Sequence, residues 1–155
     1  MAFQPDKLTI KSQEALRRAQ ELARERSHQR LEPMHLLAAL LDPEQVVVRS
    51  LLAQLGVGPA QIQRAADEGL KALPGVQGGG GDLSISPDLG RVLDAAQAEA
   101  DRLKDQYVSV EHLLLGLLGV KSRAQEVLSA LGIDSNAILQ ALQKVRGGQS
   151  VTDPN

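Results

Sequence analysis

Two histidines occupy equivalent places in two similar stretches of this sequence. His35 lies in LEPMHLLAALL and His112 in VSVEHLLLGLL, so that the two positions differ by 77 (112 − 35). Histidine with a nearby carboxylate, here Glu32 or Glu111, could bind a metal ion or transfer a proton. The chain has 3 histidines in all and contains neither HExxH nor a two-histidine, one-carboxylate spacing. The pattern therefore favours structural, hydrogen-bonded histidines over a metal site.

The stretch KDQYVSVEH, from Lys104 to His112, brings two carboxylates close to the second histidine. An enzyme that uses Asp105, Glu111 and His112 is one hypothesis, but no GxSxG elbow or substrate-orienting set accompanies them. In a plainer interpretation, Glu111 favours the N-terminus of a helix through the helix dipole. Asp105 would then end the preceding helix in solvent. Both interpretations stay open at the level of spacing.

Four consecutive glycines, Gly78 to Gly81, could form a phosphate-binding loop. Such a loop needs Lys and then Ser or Thr at its end, with a strand before it and a helix directly after it. Here Asp82 follows the glycines, and the next helix begins with another acid, Asp88. The stretch is therefore predicted to be a linker.

The elements that would position these residues come in two copies. With an offset of 77, and of 76 after a one-residue deletion, the two halves of the chain align over most of their length. Each half predicts four helices with apolar residues at steps of three and four, and no stretch alternates long enough for a strand. Thr9 and Ser86 are the predicted caps of the first helices, while Gly56 and Gly132 end the third. The fold is predicted to be all-α, with two tandem four-helix repeats packed as one pseudo-twofold domain.

The predicted domain covers residues 1–146. Its parts are repeat one (about 6–73), a glycine-rich linker (74–85) and repeat two (about 86–146). Residues 147–155 are predicted to be a flexible linker toward a further module.

The amino-acid composition excludes some classes of function and gives no support to others. Of the 155 residues, 43% are hydrophobic and 23% are charged, the net charge is −2, and there is no cysteine. Disulfides and thiolate chemistry are therefore excluded. The charge balance, with Phe3 and Tyr107 as the only two aromatic residues, gives no support to nucleic-acid binding. The sequence shows no membrane span or signal peptide, and a cytoplasmic location is expected.

Several motifs resemble the Clp amino-terminal domain family of the AAA+ class, and within it most closely the ClpB-type disaggregases. They are T-x-x-S, A-L-x-x-A-Q, EPMHLLAALL, ALPGVQG, S-x-x-L-x-x-V-L, YVSVEHLLLGLL and VRGGQSVTD. The resemblance extends from about Asp6 to Asp153.

The resemblance implies a non-catalytic, substrate-binding module. In that family a flexible linker tethers the domain to two ATPase modules, which assemble as a homohexamer and thread unfolded or aggregated proteins through a pore. No G-x-x-x-x-G-K-[ST] motif occurs in this sequence, so ATP and Mg²⁺ are expected only in those ATPase modules. The resemblance also suggests a partner chaperone of the DnaK type, and the isolated domain is expected to be a monomer.

Residue by residue, the resemblance assigns substrate binding to Thr9, Asp105 and Glu111. An apolar groove, to which Leu93 and Leu113 would contribute beside Tyr107, is expected to bind hydrophobic client segments. The alternative implied by the same family is a domain that docks folded adaptors for a protease-partnered unfoldase.

Overall fold

The computed structural model describes residues 3–75 and 83–155, and within these ranges it contains eight α-helices. Repeat one consists of α1 (Ile10–Glu25), α2 (Pro33–Leu40), α3 (Val46–Gln54) and α4 (Pro59–Lys71). Repeat two consists of α5 (Pro87–Arg102), α6 (Val110–Gly119), α7 (Arg123–Ala130) and α8 (Ser135–Arg146). The predicted all-α fold of two four-helix repeats is confirmed. The glycines predicted to form a linker, Gly78 to Gly81, lie outside the described residues.

Side chains and glycines at the helix ends explain where the equivalent helices begin and end. The Thr9 hydroxyl caps α1 and the Ser86 hydroxyl caps α5, each accepting a hydrogen bond from the N–H three residues later at 3.1 and 3.0 Å. These N–H groups have no partner inside the helix, so the caps satisfy them. After α3 and α7, Gly56 and Gly132 have φ of 76° and 79°, which favours glycine. The predicted caps and ends are confirmed.

The two helices that contain the repeated leucine run lie at the centre of the domain. Every residue of α2 is buried, and so is every residue of α6 except Gly119. A helix that is apolar on nearly all sides is stable in water only when neighbours surround it. α1 packs on α2 and α5 packs on α6, while α2 and α6 contact each other. One continuous core of leucine, alanine, valine and isoleucine therefore joins the two repeats.

Two short parallel pairings cross between the repeats. β1 (Arg30–Leu31) pairs with β2 (Ser84–Ile85), and a single bridge joins Leu8 to Val108. In the alignment with the 77-residue offset, the two pairings occupy equivalent positions. In each repeat, the segment before the first helix therefore contacts the other repeat. The sequence did not predict the strands, because two residues are too few to show an alternating pattern.

At Gly116, α6 approaches the backbone of α5 too closely for a side chain. A Cβ on Gly116 would lie 2.5 Å from the Val92 carbonyl oxygen and 3.1 Å from the Ala96 nitrogen. We expect Gly116→Ala to lower the free energy of unfolding by about 1–3 kcal/mol, because the two helices must move apart. Urea denaturation followed by circular dichroism measures this change.

Gly90→Ala, on α5, is the matched control. A Cβ at Gly90 would meet nothing within 4 Å, and alanine favours a helix over glycine. Stability should therefore rise by about 0.5–1 kcal/mol. Equal effects of the two substitutions would contradict the close approach at Gly116.

Candidate functional site

A cleft lies between the two repeats at the N-terminal ends of α1, α3 and α6. It encloses a cavity of about 260 Å³ whose lining includes Thr9, Val46, Val47, Val110, Glu111 and Val151. Val46 is 68% exposed and Val47 40% exposed, so the mouth of the cleft presents apolar side chains that the fold leaves uncovered. Such uncovered apolar surface is typical of a contact site for another chain.

Glu111, in the lining of the cleft, and Asp105, behind it, share one cation. Arg146, at the end of α8, donates hydrogen bonds to Asp105 Oδ2 at 2.8 Å and to Glu111 Oε2 at 3.1 Å. Both acids are 7% exposed. The structure therefore brings the two predicted acids together, but as a buried ion-paired cluster. The interpretation that Asp105 ends its helix in solvent is wrong, since its carboxylate is fully enclosed by hydrogen-bond donors.

The surroundings of this cluster favour an ionised Asp105 carboxylate and an uncharged His112 ring. Burial raises the pKa of Asp105, but hydrogen bonds from the Val151 N–H, Arg146 and His112 outweigh it and hold the pKa below its ordinary value. Burial lowers the pKa of His112 more than the charges of Glu111 and Asp105 raise it. Because His112 Nδ1 accepts from the Ser109 N–H, the ring proton lies on Nε2, which donates to Asp105 Oδ2 at 2.6 Å.

Ser109, His112 and Asp105 form a chain that looks like a hydrolase triad, which the sequence analysis did not suggest. Ser109 Oγ lies 3.0 Å from His112 Nδ1, but the Ser109 backbone N–H also donates to that nitrogen at 2.8 Å. The Nδ1 lone pair is thus already used, and His112 is fully buried. The arrangement is a capping box at the start of α6, not a base that could activate a serine.

Repeat one contains the same histidine cap with a different partner. The Glu32 N–H donates to His35 Nδ1 at 2.9 Å, and His35 Nε2 lies 2.7 Å from His28 Nδ1. Burial, with the charges of His28 and Arg26, lowers the pKa of His35 to about 4. The prediction of structural histidines is confirmed, and both copies are fully buried.

The other predicted site residues are divided between the cleft and the core. Thr9 lines the cleft, and its hydroxyl contacts Ser12 at 3.0 Å. Leu93 is 4% exposed and Leu113 is fully buried, both within the main core. Tyr107 is half-buried in the loop before α6. Leu93, Leu113 and Tyr107 therefore lie away from the cleft lining, and their role in binding stays a prediction.

The chain after α8 turns back onto the domain beside Asp105. Gly147 and Gly148 have φ of 59° and 93°, a conformation that favours glycine and reverses the chain. Val151 then donates its N–H to Asp105 Oδ1 at 2.8 Å, and Pro154 accepts a hydrogen bond from the Ile10 N–H at 2.7 Å. The prediction of a flexible linker at 147–155 stays a prediction; here the segment lies against the cleft.

Sequence reasoning missed Arg146, although the alignment of the repeats contains a signal for it. Asp105 stands opposite His28, Glu111 opposite Met34 and, with the 76-residue offset, Arg146 opposite Leu70. Each charged member of the cluster thus replaces an uncharged residue of repeat one. A complementary change of charge at three positions is what an ion-paired cluster requires.

Two further observations concern metal binding and membrane crossing. Within residues 3–75 and 83–155, no group of three or more histidine, aspartate or glutamate side chains is placed to hold a metal ion. Over the same ranges, no helix has the length and apolar character that a bilayer crossing requires.

Comparisons with known proteins agree with this architecture. Residues 7–131 match the sequence model of the Clp repeat (R) N-terminal domain family. The chain is 39% identical over 150 residues to the chaperone protein ClpB of Vibrio cholerae, covering 97% of this chain and 18% of that protein. It is 36% identical over 155 residues to ClpB of Rhodopirellula baltica, covering 100% of this chain and 18% of that protein. The chain therefore spans less than a fifth of the length of these relatives.

Two solved structures share the fold. The Hsp104 N-terminal domain from Candida albicans superposes with a TM-score of 0.85 at 25% identity, covering 96% of this chain and 97% of that one. The ClpV N-domain, solved in complex with a VipB peptide, superposes with a TM-score of 0.73 at 22% identity, covering 95% and 91%. With its duplicated helices and the family match over most of its length, the chain belongs to the Clp repeat (R) N-terminal domain family.

Proposed function

We propose that this domain binds unfolded or aggregated polypeptides at the cleft between α1, α3 and α6. The observation that carries the proposal is the exposed pair Val46 and Val47 at the mouth of a cavity that Thr9 and Glu111 also line. An exposed hydrophobic side chain of a client would lose water contact there, and that burial favours binding. In a protein of the same fold, the ClpV N-domain, a peptide is bound.

Binding by this cleft should be weak. A cavity of about 260 Å³ accommodates only a few side chains, so little free energy remains after the cost of ordering the client. An affinity roughly in the micromolar range or poorer is expected. Buried and ion-paired with Arg146, Glu111 would act on clients mainly by supporting the floor of the cleft. Asp105 would contribute through Oδ1, the oxygen to which Arg146 does not donate.

The whole protein is proposed to be a cytoplasmic, ATP-driven disaggregase. The domain would be tethered to ATPase modules that bind ATP and Mg²⁺ and assemble as a homohexamer, with a DnaK-type chaperone as partner. The similarity to ClpB supports this assignment. Six weak clefts on one ring would act together by avidity.

Val46→Glu tests the proposed cleft. The substitution places a charge where an apolar client side chain would be buried, and it should weaken binding of reduced, carboxymethylated lysozyme about tenfold. Fluorescence anisotropy of the labelled, permanently unfolded probe measures the affinity. Val145→Glu is the control, because Val145 is 47% exposed on α8 and does not line the cleft. Equal effects of the two substitutions, or none, would reject the cleft as the binding site.

Docking of a folded adaptor is the alternative. The charged rim of the cleft, with Lys11 and Glu44, favours this alternative, since a folded partner can present fixed complementary charges. Lys11→Glu should then abolish binding of the folded adaptor, while it should leave binding of the unfolded probe nearly unchanged.

A further inference from the structure

The segment 149–155 shows how a polypeptide fits this site. The Gln106 N–H donates to the Val151 carbonyl oxygen at 2.8 Å. Val151 in turn donates its N–H to Asp105 Oδ1 at 2.8 Å, and Ile10 donates its N–H to the Pro154 carbonyl oxygen at 2.7 Å. All three hydrogen bonds use main-chain atoms of the segment. A site that holds the main chain in this way tolerates many sequences, as in binding by strand addition.

The groups that bind the segment are available for a structural reason. Ile10 is the first residue of α1, where the N–H has no partner inside the helix. Arg146 and His112 hold the Asp105 carboxylate in place through Oδ2, so that Oδ1 can accept from an extended chain, here from Val151. The site is therefore preorganised before a polypeptide arrives.

The equivalent site, in which the two repeats exchange roles, lacks these groups. In the alignment of the repeats, His28 stands in place of Asp105 and Pro87 in place of Ile10. Proline has no N–H to donate. A cavity of about 230 Å³ lies there beside His28, with Leu73 and Pro74 in its lining. Of the two equivalent sites, only the one formed by Asp105 of repeat two and Ile10 of repeat one combines a carboxylate with a helix-start N–H.

We infer that the site at Asp105, Gln106 and Ile10 binds an extended client segment through its main chain, and that residues 149–155 compete with the client for it. The inference rests on the proposed function, because the client is the unfolded polypeptide proposed to contact Val46. An intramolecular segment that occupies a site lowers the apparent affinity for an external ligand in proportion to its occupancy. The segment thereby regulates access to the cleft.

Val151→Pro tests the competition in the full chain. Proline removes the N–H that Asp105 accepts and leaves an apolar side chain in place. We expect faster hydrogen exchange at the Ile10 and Gln106 amides, and about three- to tenfold tighter binding of reduced, carboxymethylated lysozyme. Thr152→Ala is the control: Thr152 is exposed in the same segment, and its substitution should change neither quantity. A chain ending at Gly148 provides a second variant in which the segment is absent, while all eight helices are retained.

The outcomes separate this inference from the proposed function. Tighter binding by both variants, with continued loss of binding on Val46→Glu, supports the competition. Unchanged affinity in the chain ending at Gly148 overturns the competition, while a continued effect of Val46→Glu leaves the proposed function standing. Binding that no longer responds to Val46→Glu in any of these chains rejects the proposed function itself.

Discussion

Asp105→Asn is expected to lower the free energy of unfolding by about 3 kcal/mol. The substitution keeps the size of the side chain but removes its charge, which leaves Arg146 with Glu111 as its remaining acid. It also turns one acceptor into an NH₂ group, which faces a donor in either orientation of the amide. At the Oδ2 position it meets the His112 Nε2–H and Arg146, and at the Oδ1 position it meets the Val151 N–H. His112 cannot relieve a contact between two donors by moving its proton to Nδ1, because Nδ1 already accepts from the Ser109 N–H.

Urea denaturation at pH 7 measures this loss, with Asp6→Asn as the control. Asp6 is an exposed acid in the 3₁₀ turn Pro5–Lys7, and its neutralisation should change stability by no more than about 0.5 kcal/mol. The same loss in both variants would mean that net charge, and not the buried cluster, determines the effect. A loss below about 1 kcal/mol for Asp105→Asn would show that the cluster contributes little net stability.

Acidification from pH 6.5 to pH 4 should destabilise the domain, with about 3 kcal/mol of the loss coming from His35 alone. In the folded chain the pKa of His35 is about 4, against an ordinary value of 6.5. Between pH 6.5 and pH 4, His35 binds a proton in the unfolded chain but not in the folded chain. The contribution of His35 is therefore complete above pH 6.5 and is lost as the pH falls toward 4. Burial likewise lowers the pKa of His28 and His112, so both add to the same loss.

His35→Gln should remove the part of this pH dependence that belongs to His35. Glutamine at the third helical position can accept the Glu32 N–H, as in an ordinary capping box, and its NH₂ group can donate to His28 Nδ1. Urea midpoints at pH 7, 5.5 and 4.5 would show a flatter profile than those of the native chain. An unchanged slope would show that His35 is not the titrating group. The pKa of Asp105 is held below its ordinary value by its hydrogen bonds. Asp105 therefore loses its stabilising charge only at still lower pH, so its effect is separable from that of His35.

The architecture could be predicted from the sequence because repeated local signals determine it. The caps at Thr9 and Ser86 and the glycines after α3 and α7 each depend on neighbouring residues alone, and duplication shows each signal twice. The leucine runs of α2 and α6 predict burial by composition. Elements that depend on partners distant in the chain, such as the pairing of Leu8 with Val108, leave no comparable local pattern.

The candidate site was predicted only in part. Asp105, Glu111 and Thr9 were assigned through family resemblance, and the structure places Thr9 and Glu111 in the cleft lining with Asp105 behind it. The environment of the acids could not be predicted, because Arg146 lies 41 and 35 residues from its two partners. The docking of residues 149–155 also depends on tertiary contacts, which a short, mostly polar stretch does not reveal.

The pairings β1–β2 and Leu8–Val108 cross between the repeats. Because of them, the segment that was duplicated is smaller than the segment that folds as one unit. One repeat is the unit that was duplicated, yet each repeat receives from the other the segment that pairs beside its central helix. A single repeat would leave that main chain without its partner and one face of its leucine-rich helix in water. The smallest unit that we expect to fold by itself is therefore the pair of repeats.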